Sequence, residues 1–171
     1  MKKVLLLTTG GTIAARGGEM GLQPQLASSG LLQYMSELNS FYDIDTKDIL
    51  NLDSSNIQAE EWQTIARAVY ENLDNYDGII ITHGTDTMAY TSSMLSFMLQ
   101  NLNKPVVLTG SQIPLFEVRN DGLDNLLTAM MIAAEGKVHE VALCFSDKLL
   151  RGNRSIKLNA TGLYAFSSPN Y

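Results

Sequence analysis

The sequence predicts an α/β fold: a three-layer sandwich around a mainly parallel, doubly wound sheet. Two observations carry this prediction. Five short apolar runs alternate with segments whose apolar residues recur at helical spacing, the pattern of strands buried on both faces by the helices that cover them. The first and third runs each pass into a glycine-flanked threonine, in TGGTIA at Thr9 to Ala14 and in GIIITHGTDTM at Gly78 to Met88. Loops leaving the carboxyl ends of neighbouring strands in such a sheet converge on the crevice where small ligands bind.

The first strand is expected at Val4 to Thr8, after which Gly10 and Gly11 permit a backbone path that side chains would block. A polar, glycine-rich stretch from Gly10 to Gly30 follows, long enough to form a mobile lid. It leads into a helix around Leu31 to Leu38. Tyr42 to Leu52 alternates as a second strand should, and Asp53-Ser54-Ser55-Asn56 ends it. Trp62, Ile65, Ala66, Val69 and Leu73 mark the core face of the next helix. The third strand is Gly78 to Thr82. Met88, Thr91, Leu95, Met98, Leu99 and Leu102 line a third helix, which should end near Asn103, ahead of Pro105. Its methionines read as packing because they lie on the apolar stripe. Pro105 to Thr109 is the fourth strand. Leu123, Leu126, Leu127, Met130, Met131 and Ala134 define a fourth helix with Gly136 as its cap, and Glu140 to Phe145 is the fifth strand. In the flavodoxin-like order 2-1-3-4-5, the switch point falls between strands one and three. Thr12 and Thr85 would then face each other, with Asp53, Ser54 and Ser55 entering the same mouth from the loop after strand two.

Composition narrows the function classes. At 171 residues and 45% hydrophobic, the chain suits one domain with an ordinary core. Twelve Lys and Arg against eighteen Asp and Glu give a net charge of -6. With no basic cluster to neutralise phosphates, a nucleic-acid partner is disfavoured. Cys144 is the only cysteine, so neither a disulfide framework nor a thiolate zinc site is available, and His83 and His139 alone do not make a metal centre. The apolar start is too short for a signal-peptide core and no stretch approaches a membrane span. A soluble, cytoplasmic protein with no membrane partner is expected.

A hydroxyl is a poor nucleophile until a base accepts its proton, and backbone amides in a glycine turn stabilise the oxyanion formed when a carbonyl is attacked. The two motifs offer both parts. Thr85 and Asp86 lie at a helix start, where free amides favour an anionic ligand such as a carboxylate. Simple helix capping is the competing reading, and the paired motifs weigh against it. His83 is a candidate base for Thr85, although a structural role beneath the site is preferred. Taken alone, Lys157 reads as a surface lysine.

These residues carry a family likeness: the chain resembles the bacterial-type L-asparaginases, closest to the cytoplasmic type I group. TGGTIA and HGTDT match the two family signatures, and the likeness continues through DSSN, GTDTMAYTSS, KPVVLTGSQIP and RGNRSIK over the whole chain. The resemblance implies hydrolysis of L-asparagine to L-aspartate and ammonia through a covalent aspartyl ester, with L-glutamine as a weaker substrate. No metal or organic cofactor is implied. By position, Thr12 resembles the nucleophile, and Thr85 the second catalytic threonine with Asp86 and Lys157 as charged partners. Asp53, Ser54 and Ser55 match the substrate-binding stretch, to which Thr85 and Asp86 also belong. A nearby Asp86 would favour the charged form of Lys157, whereas a base must be neutral.

Two departures from the family pattern accompany the likeness. The lid tyrosine that assists the first threonine is replaced by Leu22, which transfers no proton, and Tyr34, the nearest tyrosine, sits on a predicted helix. Familiar members are also about twice as long. Residues 1–171 are therefore expected to be the N-terminal catalytic domain, with the C-terminal domain that helps form the dimer absent and self-association through the exposed face. Three other readings stand beside the enzyme. One is a ligand-binding or assembly module that needs the missing domain. Another is a nucleotide-binding domain, although neither GxGxxG nor GxxxxGK[ST] occurs at the right place. The last is an amidotransferase subunit, although no tRNA-binding surface is apparent.

Overall fold

The computed structural model describes residues 1–18, 21–24, 28–34 and 36–170. The chain opens with β1 (Lys2–Gly10), then a hairpin of β2 (Ala15–Gly18) and β3 (Gly21–Pro24), and a short α1 (Ser28–Gln33). It alternates through β4 (Tyr42–Leu52), α2 (Ala59–Asn72), β5 (Gly78–Thr82), α3 (Met88–Met98), β6 (Val106–Thr109), α4 (Gly122–Glu135) and β7 (Val141–Phe145). It closes with β8 (Lys148–Arg151) and a small antiparallel pair, β9 (Ile156–Lys157) and β10 (Phe166–Ser167).

Six strands form the main sheet in the order β4-β1-β5-β6-β7-β8. The first five are parallel, and β8 returns antiparallel along β7. These five are the strands expected from the sequence, in the expected order, with the switch point between β1 and β5. The pleat divides the side chains into two cores. Leu5, Leu7, Ile79, Ile81, Val106 and Leu108 pack with Ile65 and Val69 of α2 and Leu95 of α3, while Val4, Leu6, Ile80 and Val107 pack with Leu31 of α1 and Leu126 and Met130 of α4. The helices therefore cover both faces. Each fully buried Leu or Ile contributes roughly 1.5–3 kcal/mol, which explains why β1, β5, β6 and β7 read as apolar runs, whereas the half-buried β4 alternates.

Several boundaries differ from the expectation for local reasons. The helix expected at Leu31 to Leu38 is two pieces, α1 and a 3-10 turn at Ser36–Ser40. The Tyr34 amide closes α1 tightly, donating to the Leu31 carbonyl at 3.2 Å. Helix α3 stops at Met98, not near Asn103: Leu99 leaves helical geometry and Asn101 adopts a left-handed φ of 57°. Met88 and Met130 are packed in the core, but Met98 and Met131 are 39% and 56% exposed and do not pack as expected, because each lies off the buried line of its helix. Helix α4 ends at Gly136 in the left-handed conformation, as the cap reading requires. Part of the stretch expected to be a lid pairs as the β2–β3 hairpin, with Leu22 opposite Gly17; residues 19–20 and 25–27 of that stretch lie outside the described residues.

Candidate active site

Three loops meet at the carboxyl ends of β4, β1 and β5, and their glycines show how closely. Gly11 holds a φ of 85°, and a Cβ there would lie 2.5 Å from the Gly84 nitrogen. A Cβ on Gly84 would in turn lie 2.6 Å from the Ser54 hydroxyl oxygen. Only glycines let the β1 and β5 backbones come so close and leave room for the Ser54 side chain beside them. Two threonines tie the loops together: the Thr9 hydroxyl donates to the Thr82 carbonyl at 2.9 Å, and Thr87 donates to the Ser54 carbonyl at 2.7 Å. Thr12 opens a 3-10 turn at Thr12–Ala14 immediately after Gly11, and its neighbours Ile13 and Ala14 anchor that turn in the core.

Thr85 follows Gly84, buried and surrounded by polar groups. The Lys157 ammonium donates to the Thr85 hydroxyl oxygen at 2.8 Å and to Asp86 Oδ1 at 2.8 Å. The Lys157 side chain is only 13% exposed, whereas Asp86 is 67% exposed. The apparent surface lysine of the sequence is thus drawn inward by β9 to bridge two side chains of the β5 loop. The Thr85 hydroxyl donates onward to Gln112 Oε1 at 2.8 Å. Gln112 was not among the residues singled out from sequence; it sits in the loop after β6, and no local pattern marks a glutamine whose partners come from distant loops.

Asp53 caps the 3-10 turn at Ser54–Asn56, its Oδ1 accepting from the Ser55 amide at 2.9 Å and the Ser55 hydroxyl at 2.6 Å. These bonds, the hydroxyl first, hold its carboxyl below the usual range. Asp53 and Ser55 are exposed, while Ser54 is buried against Gly84. An ionised carboxylate therefore stands at the rim of the loop junction.

His83 is turned into the core. Its Nδ1–H donates to the Gly84 carbonyl at 2.7 Å, leaving Nε2 as an unpartnered acceptor. Burial pushes the imidazole down to about 4, so the ring is neutral at physiological pH. Its hydrogen bond goes to the main chain, not to Thr85. Tyr34 is exposed just beyond α1, and the Leu22 side chain lies outside the described residues. Among the described residues, no group of three or more His, Cys, Asp or Glu stands ready for a metal ion, and no helix is long and apolar enough to cross a membrane.

The glycine-lined junction and the threonine–lysine–aspartate contact are built from the two sequence signatures and the RGNRSIK segment. Residues 3–171 match the family model described as Asparaginase, N-terminal. The chain belongs to the asparaginase N-terminal family. L-asparaginase of Thermococcus kodakarensis is 50% identical over 170 residues, covering 99% of this chain and 52% of that protein. L-asparaginase 1 of Escherichia coli K12 is 46% identical over 175 residues, covering 99% and 51%. Among solved structures, the thermostable L-asparaginase from Thermococcus kodakarensis superposes with a TM-score of 0.91 at 49% identity, over 99% of this chain and 52% of that one. The probable cytoplasmic L-asparaginase from Campylobacter jejuni superposes with a TM-score of 0.89 at 31% identity, over 100% and 54%. The chain thus spans about half the length of the asparaginases it matches.

Proposed function

We propose that residues 1–171 form an asparaginase N-terminal catalytic domain, an amidohydrolase that converts L-asparagine to L-aspartate and ammonia. The observation that carries this reading is the contact of Lys157 with both Thr85 and Asp86, at a junction where Gly11, one residue before Thr12, abuts Gly84. Relatives that share these segments are named L-asparaginases. Thr12 Oγ attacks the side-chain amide carbon, and backbone amides near Thr12 and Thr85 stabilise the resulting oxyanion. The C–N bond breaks, the threonine proton departs with the ammonia, and an aspartyl ester remains. Water adds to the ester carbon, releasing L-aspartate and restoring the hydroxyl. Asp53 at the rim takes the substrate ammonium, while Ser54, Ser55 and Asp86 complete the hold on the amino-acid end. L-glutamine, one methylene longer, is the weaker substrate. The reaction draws on no metal or organic cofactor, and a cytoplasmic setting and self-association belong to the same reading.

A second reading rests on the chain spanning about half of its relatives: a ligand-binding or assembly module that requires another domain for turnover. One experiment separates the two. Ammonia release from L-asparagine by the purified chain, abolished by Thr12→Ala, supports the enzyme. No release from a chain shown to be folded supports the module, and full turnover by Thr12→Ala refutes the threonine mechanism.

A further inference from the structure

We propose that Gln112 is a positioning residue that fixes both the rotamer and the proton direction of the Thr85 hydroxyl. A threonine hydroxyl has one proton and two lone pairs, and an ammonium brings only donors. Lys157 therefore occupies one lone pair of Thr85. The proton must go to the remaining neighbour, the Gln112 Oε1 atom at 2.8 Å. That neighbour presents its oxygen for a structural reason: its Nε2 donates to the Ala160 carbonyl at 3.2 Å and the Gly162 carbonyl at 3.1 Å. With two acceptors on one end, the amide cannot turn its NH2 toward Thr85 without losing both bonds.

The backbone beneath Gln112 is held as firmly. Asp121, at the start of α4, accepts from the Gln112 amide at 2.9 Å and the Ile113 amide at 2.9 Å. Gln112 is thus fixed from below by α4 and at its tip by the 157–162 segment, the same segment that delivers Lys157. The second lone pair of Thr85 is left for an incoming N–H or O–H donor. A Thr85 free to rotate would offer its proton there in a share of molecules and repel that donor. The kinetic consequence rests on the amidohydrolase reading; the hydrogen-bond geometry does not.

The test is Gln112→Met, which keeps the length of the side chain and removes the acceptor, with Gln112→Ala read in the same way if the first fails to fold. Three-bond couplings from the Thr85 methyl carbon to its backbone nitrogen and carbonyl carbon should report one rotamer in the parent chain and averaged values in the variant. In ammonia release from L-asparagine, kcat should fall about 10- to 100-fold while KM moves less than about threefold. Couplings that stay at the parent values overturn the proposal, and so does an unchanged kcat. If the parent chain releases no ammonia, the amidohydrolase reading fails, and the couplings decide the role of Gln112 by themselves.

Discussion

Acidification should weaken this fold through one buried ring. His83 is fully buried, with Nδ1–H bonded to the Gly84 carbonyl and Nε2 without a partner. Burial lowers its pKa to about 4 from the ordinary imidazole value of about 6.5. Between those values the unfolded chain takes up a proton that the folded chain refuses, so the contribution of His83 is complete above the unfolded value and is lost as pH falls toward the folded one. At about 1.4 kcal/mol per pH unit, the gap corresponds to about 3 kcal/mol, a large share of the 5–15 kcal/mol typical of a domain. Urea unfolding followed by circular dichroism, at a series of pH values between about 7 and 4, measures it. His83→Asn is the partner experiment, because asparagine keeps an N–H for the Gly84 carbonyl and does not titrate. The variant should begin less stable and lose about 3 kcal/mol less than the parent over the same interval. Asp45, Asp53 and Asp77 are also held below the usual carboxylate range, by hydrogen bonds from Tyr76, Ser55 and Lys2 first. Their contributions are present above the ordinary carboxylate value and fall away below it, in both chains alike. Parallel pH slopes in parent and variant, or a His83 ring resonance titrating near 6.5, would refute the reasoning.

Gly11→Ala places a Cβ 2.5 Å from the Gly84 nitrogen at a φ of 85°; the clash is with backbone, so the melting temperature should drop by about 4–12 °C, and an unchanged melt would mean that the β1 and β5 loops part easily. Cys144 is buried between β6 and β8, and burial first, then the Asp147 charge, pushes its thiol up to about 11. A disulfide reagent at neutral pH should therefore modify it only as fast as the fold opens, whereas immediate labelling of the native chain would contradict the packing.

Strands β1, β5, β6 and β7 were legible because each is an apolar run whose alternate residues enter two different cores, as in Val4 with Leu6 and Leu5 with Leu7, and β4 because it alternates. Their order came from the flavodoxin-like pattern and not from the runs themselves. The threonine loops were legible because glycine in them answers a backbone need, seen in the approach of Gly11 to Gly84. From Ser146 onward the sequence said little. Strand β8 alternates weakly, and Lys157 enters the site only because the short β9–β10 pair folds back over α3, a long-range event with no local period. Gln112 escaped for the same reason: its partners, Thr85, Ala160 and Gly162, come from two other loops. Met98 and Met131 were placed on the apolar stripes of their helices, but each lies off the line that the sheet buries.

The place of β1 between β4 and β5 has a consequence for how the chain is made. Val4 pairs with Ile44 on one side and with Gly78 on the other, so β1 is synthesised before both of its neighbours and stays unenclosed until they arrive. Until β5 has been synthesised, Val4 to Leu7 lack one neighbour and much of their cover. Parallel partners so distant in sequence form slowly, and an apolar segment waiting for them is open to capture by other chains. The same burial that makes β1 the spine of the finished sheet makes it the segment most in need of protection during synthesis.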